Sequence, residues 1–283
     1  MIILRQLLNQ YKQEKKAIPS FNIDTFAVYQ AVEDAVRSTL LPAIVQLSAG
    51  EDEFVQAERL WMLVQKARAD GLPIYCNMDH GKDIDRLKKL LLLGFDMVHY
   101  DGSSLPFDEN LKNALDLKKF IDENFPNKDT QPILEVEFNK INLVEKGVDE
   151  NSFTKPEEAA KFMSFSRADL VAVSVGNMHG ITQPGIEEHI KTDLFASIAA
   201  ALPSEQLFTM HGGSGIAESE LRFTIGMGVV KININTDLRL AYRETLKDML
   251  SRLHTEKMYE YYKPVVDKMK EVAIQKLNVF QNR

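Results

Sequence analysis

Short apolar runs alternate with longer amphipathic stretches along most of this chain. Each run is rich in β-branched and other apolar residues, as buried strands are, and is followed by a polar break and a segment with helical spacing. Eight runs follow this pattern, at residues 18–23, 43–47, 73–78, 97–100, 133–136, 170–175, 207–210 and 229–234. The pattern predicts eight strands that alternate with helices.

The helical stretches include residues 25–38, 55–70, 83–93 and 156–165. Residues that commonly cap helices precede three of them, namely Asp24, Asp83 and Thr154. The alternation predicts an α/β fold, a (β/α)8 TIM barrel, in which residues 1–283 form one barrel domain with a C-terminal helical extension. A doubly wound open sheet is the alternative, but the turn after the first run lacks the glycines typical of that fold.

Polar residues close nearly every run at its carboxyl end. They are Asn22, Ser48, Asp79, His80, Asp101, Glu137, Asn177, His179, His211 and Asn233. Barrel enzymes gather their active sites at this face, whereas an open sheet would spread the same residues along one edge. The positions of these residues therefore favour the barrel.

Composition and charge limit the possible functions. The chain of 283 residues has 34 Lys and Arg against 41 Asp and Glu, a formal charge of −7, so we expect no general affinity for nucleic acid or anionic membranes. Its apolar stretches are too short to span a membrane, and no secretory signal is visible. The single cysteine, Cys76, excludes an internal disulfide. We expect a cytoplasmic protein.

Three of the six histidines follow predicted strands. His80, His179 and His211 come after the third, sixth and seventh runs, and three imidazoles at one barrel rim suit Zn²⁺ with an open fourth position. The alternative is three unrelated hydrogen-bonding histidines. Of the others, His99 lies inside the fourth run and two have polar helical surroundings.

Two further segments have the features of a phosphate site. A glycine-rich turn at 211–215 follows the seventh run, and the segment 233–237 follows the eighth. Glycines let backbone N–H groups approach a phosphate, and Ser214 and Thr236 add hydroxyl donors. Barrels often bind phosphate between these two loops.

Carboxylates supply the third set of candidates. Asp79 precedes His80, so we expect its side chain to point away from the histidine but to lie on the same rim, where it can exchange a proton with a substrate hydroxyl. Asp101 and Glu137 end the fourth and fifth runs and can orient ligands or hold a metal in an alternative position. Helix capping and salt bridges are the alternative roles of these two.

Seven short motifs lie in order along nearly the whole chain. They are Pro19-Ser20-Phe21-Asn22-Ile23, Met78-Asp79-His80-Gly81, Tyr100-Asp101-Gly102-Ser103, Leu134-Glu135-Val136-Glu137, Gly176-Asn177-Met178-His179-Gly180, Met210-His211-Gly212-Gly213-Ser214-Gly215 and Lys231-Ile232-Asn233-Ile234-Asn235-Thr236-Asp237. Together they resemble the class II, zinc-dependent fructose-bisphosphate and tagatose-bisphosphate aldolase family. The resemblance implies a lyase that reversibly cleaves fructose 1,6-bisphosphate into dihydroxyacetone phosphate and glyceraldehyde 3-phosphate. Tagatose 1,6-bisphosphate or another phosphorylated ketose is the alternative substrate.

The same resemblance implies roles for individual residues. One catalytic Zn²⁺ would be held by His80, His179 and His211, and a second or alternative divalent ion by Asp101 and Glu137. Asp79 would be the acid/base at the aldehyde oxygen. The dihydroxyacetone phosphate half would contact Ser48, Gly180, Gly212, Gly213, Ser214, Asn233, Ile234, Asn235 and Thr236. Some of this backbone, around Gly180, Gly212 and Ser214, would hold a monovalent cation, and the family's habit implies a homodimer or homotetramer.

One segment departs from the family pattern. Many members have a glycine-rich loop after the fifth strand, and here Asn139, Asn142 and Leu143 replace its glycines. Because each non-glycine residue narrows the accessible backbone, we expect a stiffer loop. Glu145 matches the acid of that loop, which implies that it moves the C3 proton. The departure leaves open another class of protein, a catalytically weakened paralog that binds sugar phosphate.

A Schiff-base aldolase is the third hypothesis. That mechanism needs a lysine pointing inward from a central strand, and Lys231 on the eighth run is the candidate. A buried ion pair with a carboxylate such as Glu135 explains Lys231 more simply.

Overall fold

The structure, a computed structural model, describes residues 2–147, 149–180 and 189–282, and the side chains of Lys146 and His179 lie outside the described part. Its strands are β1 Ile18–Asn22, β2 Ala43–Leu47, β3 Ile74–Gly81, β4 Met97–Asp101, β5 Ile133–Glu137, β6 Asn142–Leu143, β7 Leu170–Ala172, β8 Met178–His179, β9 Leu207–Met210 and β10 Val229–Ile234. Its α-helices are α1 Leu4–Glu14, α2 Phe26–Thr39, α3 Ala49–Val55, α4 Ala57–Ala69, α5 Ile84–Leu93, α6 Phe107–Asn124, α7 Pro156–Ser166, α8 Thr192–Ala201, α9 Glu218–Gly226, α10 Thr236–Arg252 and α11 Met258–Phe280. None of these helices is long and apolar enough to cross a membrane.

Eight of the strands close into a parallel barrel, in the order β1-β10-β9-β7-β5-β4-β3-β2. Helices connect successive barrel strands, because parallel neighbours need a crossover connection. The predicted (β/α)8 barrel is thus confirmed, and each predicted run overlaps one barrel strand. The short strands β6 and β8 pair with each other outside the barrel, in the loops that follow β5 and β7.

Helix α1 closes the amino-terminal end of the barrel. Its buried residues Leu4, Leu7, Leu8 and Tyr11 pack with one apolar residue from each barrel strand. Those strand residues are Ile18, Ile44, Tyr75, Met97, Ile133, Leu170, Leu207 and Val230. The floor is therefore apolar and tightly buried, and the polar interior of the barrel opens only at the carboxyl ends of the strands.

Strand β3 contains a bulge that its sequence does not reveal. Met78 pairs with Val98 of β4, but the next pair joins Gly81 to Tyr100, so two residues of β3 lie opposite the single residue His99. The strand consequently continues three residues beyond the predicted end at 78, through Asp79 and His80, to Gly81.

Two of the three predicted helix caps are wrong. Asp83 does cap α5, accepting hydrogen bonds from the first N–H groups of that helix. Helix α2 is instead capped by the hydroxyl of Thr25, while Asp24 forms an ion pair with an arginine of α10. The hydroxyl of Thr154 accepts a backbone N–H beyond β7 rather than one in α7.

A buried ion pair lies inside the barrel beneath the polar strand ends. Lys231 Nζ of β10 is 3.0 Å from Glu135 Oε2 of β5, and both side chains are fully buried. Burial alone would raise the pKa of Glu135, but Lys231 outweighs that effect and holds the pKa below its usual value. This contact agrees with the ion pair expected for Lys231.

Replacing Lys231 with methionine should destabilise the protein by about 3–5 kcal/mol, because the charge of Glu135 would remain buried without its partner. Chemical denaturation monitored by circular dichroism measures the change. Lys268→Met is the matched control, since Lys268 pairs with Glu271 on the exposed face of α11 and should contribute less than about 1 kcal/mol. Equal effects of the two variants would contradict this account.

Candidate active site

Histidine and carboxylate side chains from the barrel strands β3, β4 and β5 and from the loop after β9 converge at the mouth of the barrel. Ligand atoms of Asp79, His80, His99 and His211 all lie within 4.8 Å of one another. A second group, made of His80, Asp101 and Glu137, satisfies the same limit and shares His80 with the first. The structure therefore brings together all but one of the metal ligands predicted from the sequence. The exception is His179, whose side chain lies outside the described residues.

Asp79 and His80 both face the mouth, although neighbours on a regular strand point to opposite faces. The expectation that their side chains point apart is wrong because of the bulge in β3. His80 has a left-handed backbone with φ of 49°, which is uncommon for a residue other than glycine. The bulge turns the strand at this point and aims two adjacent polar side chains into one site.

The His211 ring is oriented by a carboxylate beneath it. Nε2 of His211 lies 2.9 Å from Oε1 of Glu135, which Lys231 keeps ionised, so Nε2 carries the proton and donates it. The amide Nδ2 of Asn233, a donor, lies 3.2 Å from Nδ1 of the same ring. Burial holds the pKa of His211 well below its usual value, so the ring is neutral and Nδ1 presents its lone pair.

Nε2 of His80 points towards Nδ1 of His211. Nδ1 of His80 lies 3.5 Å from carboxylate oxygens of both Asp101 and Glu137, and its Nε2 lies 3.0 Å from Nδ1 of His211. Burial lowers the pKa of His80, but the negative charge of Asp79 and its neighbours outweighs burial and raises it. The space between the two rings therefore attracts positive charge, either a proton or a metal ion.

These donors fit a divalent metal ion. Neutral imidazole nitrogens are preferred zinc ligands, and a carboxylate on the second ring nitrogen is the usual support for such a ligand. Two nitrogens bound tetrahedrally to zinc lie about 3.4 Å apart, close to the 3.0 Å separation of His80 Nε2 and His211 Nδ1. Among the described residues, Glu137 Oε2 is also buried without a hydrogen-bond partner, as a carboxylate awaiting a cation would be.

Asp79 is held as a buried carboxylate. Burial raises its pKa, but His80 and the neighbouring positive charges outweigh that effect and hold the pKa well below its usual value. Its oxygens accept hydrogen bonds from the amides of Asn233 at 3.0 Å, Gln46 at 3.1 Å and Asn22 at 3.3 Å. Asp79 is therefore an ionised carboxylate with a fixed orientation.

A cavity of about 150 Å³ joins Asp79 and His80 to the predicted phosphate loops. Seven of the nine predicted substrate-binding residues line it, namely Ser48, Gly180, Gly212, Ser214, Asn233, Asn235 and Thr236. Gly213 and Ile234 do not line this cavity, and Ile234 is buried in the core between strands and helices. Ser48 also caps α3 in a capping box with Glu51.

The phosphate loops lie at the start of helix α10. This 17-residue helix begins at Thr236, and its N-cap residue Asn235 makes no side-chain capping bond. The first-turn N–H of Asp237 donates to the hydroxyl of Ser214 at 3.3 Å, so Ser214 and the start of the helix lie together. Gly212 has a φ of 71°, and a Cβ there would lie 2.1 Å from the carbonyl oxygen of Met178. Only glycine fits this position, where the loops after β7 and β9 meet.

The loop that contains Glu145 is paired through a short parallel strand with the segment that contains His179. Strand β6 pairs with β8, so that Leu143 is the partner of His179, and the Asn142 side chain bonds to the backbone of Asp149. Asn142 and Leu143, which stand where the family has glycines, therefore form a strand, and glycine is depleted in strands. Glu145 is exposed in the short helix that follows.

The sequence interpretation missed His99, which is fully buried among the site residues. Its ring centre lies 4.6 Å from that of His80 and 4.9 Å from that of His211. The signal was present, because His99 precedes Asp101 by two positions on β4 and residues two apart share one face of a strand. Gln46 was missed as well, although it also points to the interior.

Solved structures with the same fold are aldolases. The YdjI aldolase from Escherichia coli K12 superposes with a TM-score of 0.83 at 23% identity, over 99% of this chain and 97% of that one. Fructose-bisphosphate aldolase from Campylobacter jejuni superposes with a TM-score of 0.77 at 22% identity, over 98% and 92% of the two chains. The superpositions show that this chain has the same barrel fold as these two proteins.

Sequence comparison is more specific. Residues 3–283 match the family model of class II fructose-bisphosphate aldolase. Fructose-bisphosphate aldolase of Mycoplasma pneumoniae is 29% identical over 254 residues, 88% of this chain and 84% of that protein. Sulfofructosephosphate aldolase of Alkalicoccus urumqiensis is 30% identical over 249 residues, 86% and 83% of the two. The chain belongs to the class II fructose-bisphosphate aldolase family and is an aldolase, a lyase of carbon–carbon bonds.

The free energy of unfolding should depend on Glu137 in the metal-free protein. Burial raises the pKa of Glu137 to about 8 from 4.5, so the folded state keeps a proton that the unfolded state has lost. Stability should therefore fall as the pH rises from about 5 to 8. Glu137→Gln should show a smaller fall in chelator-treated urea titrations, whereas Glu271→Gln on exposed α11 should behave as wild type. A Glu137→Gln curve parallel to wild type would refute this assignment.

Proposed function

We propose that this chain is a zinc-dependent ketose-bisphosphate aldolase that reversibly cleaves fructose 1,6-bisphosphate to dihydroxyacetone phosphate and glyceraldehyde 3-phosphate. The observation that carries the proposal is the single cavity lined by the base Asp79, the ligand His80 and the phosphate-loop residues Gly212, Ser214 and Thr236. A phosphate held by the loops at one end would leave the adjacent carbons of a ketose beside the histidines and Asp79.

The proposed zinc ligands are His80, His179 and His211, in keeping with the use of zinc by class II aldolases. A zinc ion bound there would supply a Lewis acid for the ketone oxygen of the substrate. Glu135 fixes the tautomer of His211, and the carboxylates of Asp101 and Glu137 fix that of His80. Asp101 and Glu137 are also the proposed holders of an alternative divalent ion.

Asp79 is the proposed acid/base for the aldehyde half. In the cleavage direction its carboxylate takes the proton of the C4 hydroxyl, the C3–C4 bond breaks, and C4 leaves as an aldehyde. The electron pair of that bond remains on the dihydroxyacetone phosphate half as an enediolate. A proton delivered to C3 by Glu145 then completes dihydroxyacetone phosphate.

A second, larger cavity is the proposed position of the aldehyde half. It has a volume of about 780 Å³, adjoins His80 and Ser48, and contains the cationic side chains of Lys82, Arg86 and Lys140. Carboxyl groups line it as well, those of Asp52, Glu53, Asp83, Asp101 and Glu137. Arg86 is paired with Asp52 and Glu58, and Lys82 Nζ lies 3.8 Å from Asp101. The exposed Lys140 is therefore the proposed contact for a second anionic group of the aldehyde, such as a phosphate.

Sulfofructose phosphate is the second candidate substrate. The relative from Alkalicoccus urumqiensis, named for that substrate, is about as similar to this chain as the fructose-bisphosphate aldolase of Mycoplasma pneumoniae. A sulfo group and a phosphate are both anions, so Lys140 of the larger cavity suits either one.

The test is cleavage of fructose 1,6-bisphosphate, tagatose 1,6-bisphosphate and sulfofructose phosphate, with and without chelator. Activity should disappear when the metal is removed and return with Zn²⁺, and His211→Ala should lose metal and activity together. Full activity in excess chelator, with borohydride trapping of substrate on Lys231, would favour the Schiff-base mechanism instead. Buried Lys231 is already paired with Glu135.

Asp79→Ala should retain zinc and dihydroxyacetone phosphate but lose roughly 10²–10⁴-fold in kcat, the usual contribution of a general acid–base. The loss should appear in kcat more than in KM, because Asp79 acts on the C4 oxygen during bond cleavage. Asp248→Ala, on the exposed face of α10 where Asp248 pairs with Arg252, is the control and should keep kcat within a few-fold. A near-native kcat in Asp79→Ala would assign the C4 proton to another group.

Glu145→Ala should slow exchange of the C3 proton of dihydroxyacetone phosphate with solvent, while its affinity stays within a few-fold. Zinc and phosphate ligands lie on other elements, so their binding should not change. Exchange of the C3 proton with deuterium, followed by NMR, measures the effect, and Glu150→Ala in the next exposed turn is the control. Unchanged exchange in Glu145→Ala would show that another group or water moves the C3 proton.

A wild-type protein that binds dihydroxyacetone phosphate with zinc present but shows no exchange of the C3 proton would be a sugar-phosphate sensor and not an enzyme.

A further inference from the structure

His99 lies where the bulge in β3 leaves a backbone group without a partner in the sheet. Two residues of β3, Asp79 and His80, oppose His99 alone, so the regular ladder of hydrogen bonds between β3 and β4 is interrupted there. The N–H of His80 donates instead to Nδ1 of His99 at 3.1 Å. The imidazole of His99 thus replaces the bond that the bulge removes.

This hydrogen bond fixes the tautomer of His99. Nδ1 accepts the N–H of His80, so a neutral ring carries its proton on Nε2. Nε2 lies 3.5 Å from Oε2 of Glu137, and among the described residues both atoms are buried without a hydrogen-bond partner. The N–H of Nε2 therefore faces the carboxylate that also faces Nδ1 of His80.

The tautomer of His99 argues against this residue as a metal ligand. A ligating nitrogen must present a lone pair, but the lone pair of Nδ1 is taken by His80 and Nε2 carries the proton. His99 instead lies against the backbone N–H of His80 at 3.1 Å and the carboxyl group of Glu137 at 3.5 Å, and its Nδ1 is also 3.4 Å from Oδ1 of Asp79. The contacts with His80 and Glu137 determine where His80 Nε2 points.

We propose that His99 is a positioning residue that holds His80 in its left-handed conformation and so sets the affinity of the site for zinc. The inference deepens the proposed function and rests on it for the identity of the metal. Groups that orient metal ligands in this way typically change metal affinity by 10–100-fold when they are removed. No other described side chain accepts the N–H of His80.

The experiment compares zinc binding by metal-free wild type with that of three variants, using competition with a chromophoric chelator. His99→Leu lacks both polar atoms and should bind zinc about 10–100-fold more weakly. His99→Asn can place an oxygen where Nδ1 lies, so it should recover most of this loss. His99→Gln reaches the position of Nε2 but not that of Nδ1, so it should resemble His99→Leu.

Visible spectra of the Co²⁺-loaded variants give a second readout, since they report ligand geometry independently of turnover. The bands should shift in His99→Leu and His99→Gln and return towards wild type in His99→Asn. Met97→Leu is the matched control, because Met97 precedes His99 by two positions on β4 but packs in the apolar floor. Its zinc affinity and Co²⁺ spectrum should be those of wild type.

The possible failures are distinguishable. Wild type that binds no zinc would refute the proposed function. Wild type that binds zinc, together with His99→Leu of equal affinity, would overturn only the role of His99. If His99→Leu does not fold, the proposal is tested by comparing the zinc affinities of His99→Asn and His99→Gln. Equal zinc affinities of these two variants would overturn the proposal.

Discussion

One extra residue in β3 determines the geometry of the site. Without the bulge, Asp79 and His80 would point to opposite faces of the strand, and only one of them could face the barrel interior. The bulge has two costs, a left-handed backbone at a residue other than glycine and an N–H group lost from the sheet. His99 offsets the second cost by accepting that N–H. A base and a proposed metal ligand therefore come from consecutive positions on one rigid strand.

Burial of charge is the second constraint. The mouth of the barrel places several carboxylates and imidazoles out of contact with water, and each charge must be matched by a neighbour. Lys231 neutralises Glu135, which in turn orients His211, so the ion pair below supports the proposed ligand above. Burial, together with the negative charges of Asp101 and Glu135, raises the pKa of Glu137 to about 8. A divalent cation would supply the missing positive charge.

Much of the architecture could be predicted from alternating patterns. The eight apolar runs contained the eight barrel strands, because buried parallel strands are continuous apolar segments that end in polar residues at the mouth. The same period-two rule correctly paired Lys231 with Glu135. Applied to β4, the rule would have placed His99 beside Asp101 on the inner face.

Other features depend on contacts that no local pattern contains. The bulge changes the register between β3 and β4, and its position is stabilised by His99 from the neighbouring strand. The caps of α2 and α7 were mispredicted because Asp24 and Thr154 have partners distant in sequence. The pairing of β6 with β8 joins segments 36 positions apart at Asn142 and Met178, and two-residue strands give too short a pattern to detect.

The apolar floor formed by α1 closes the amino-terminal end of the barrel to solvent. Among the residues that the structure describes, the opposite end is packed with aliphatic and aromatic side chains, so water, protons and products would reach the buried histidines and the Lys231–Glu135 pair from the mouth. A substrate bound in the mouth therefore blocks the access of solvent to these buried groups. It displaces the last solvent from the charged groups and lowers the dielectric around them before any loop has to close.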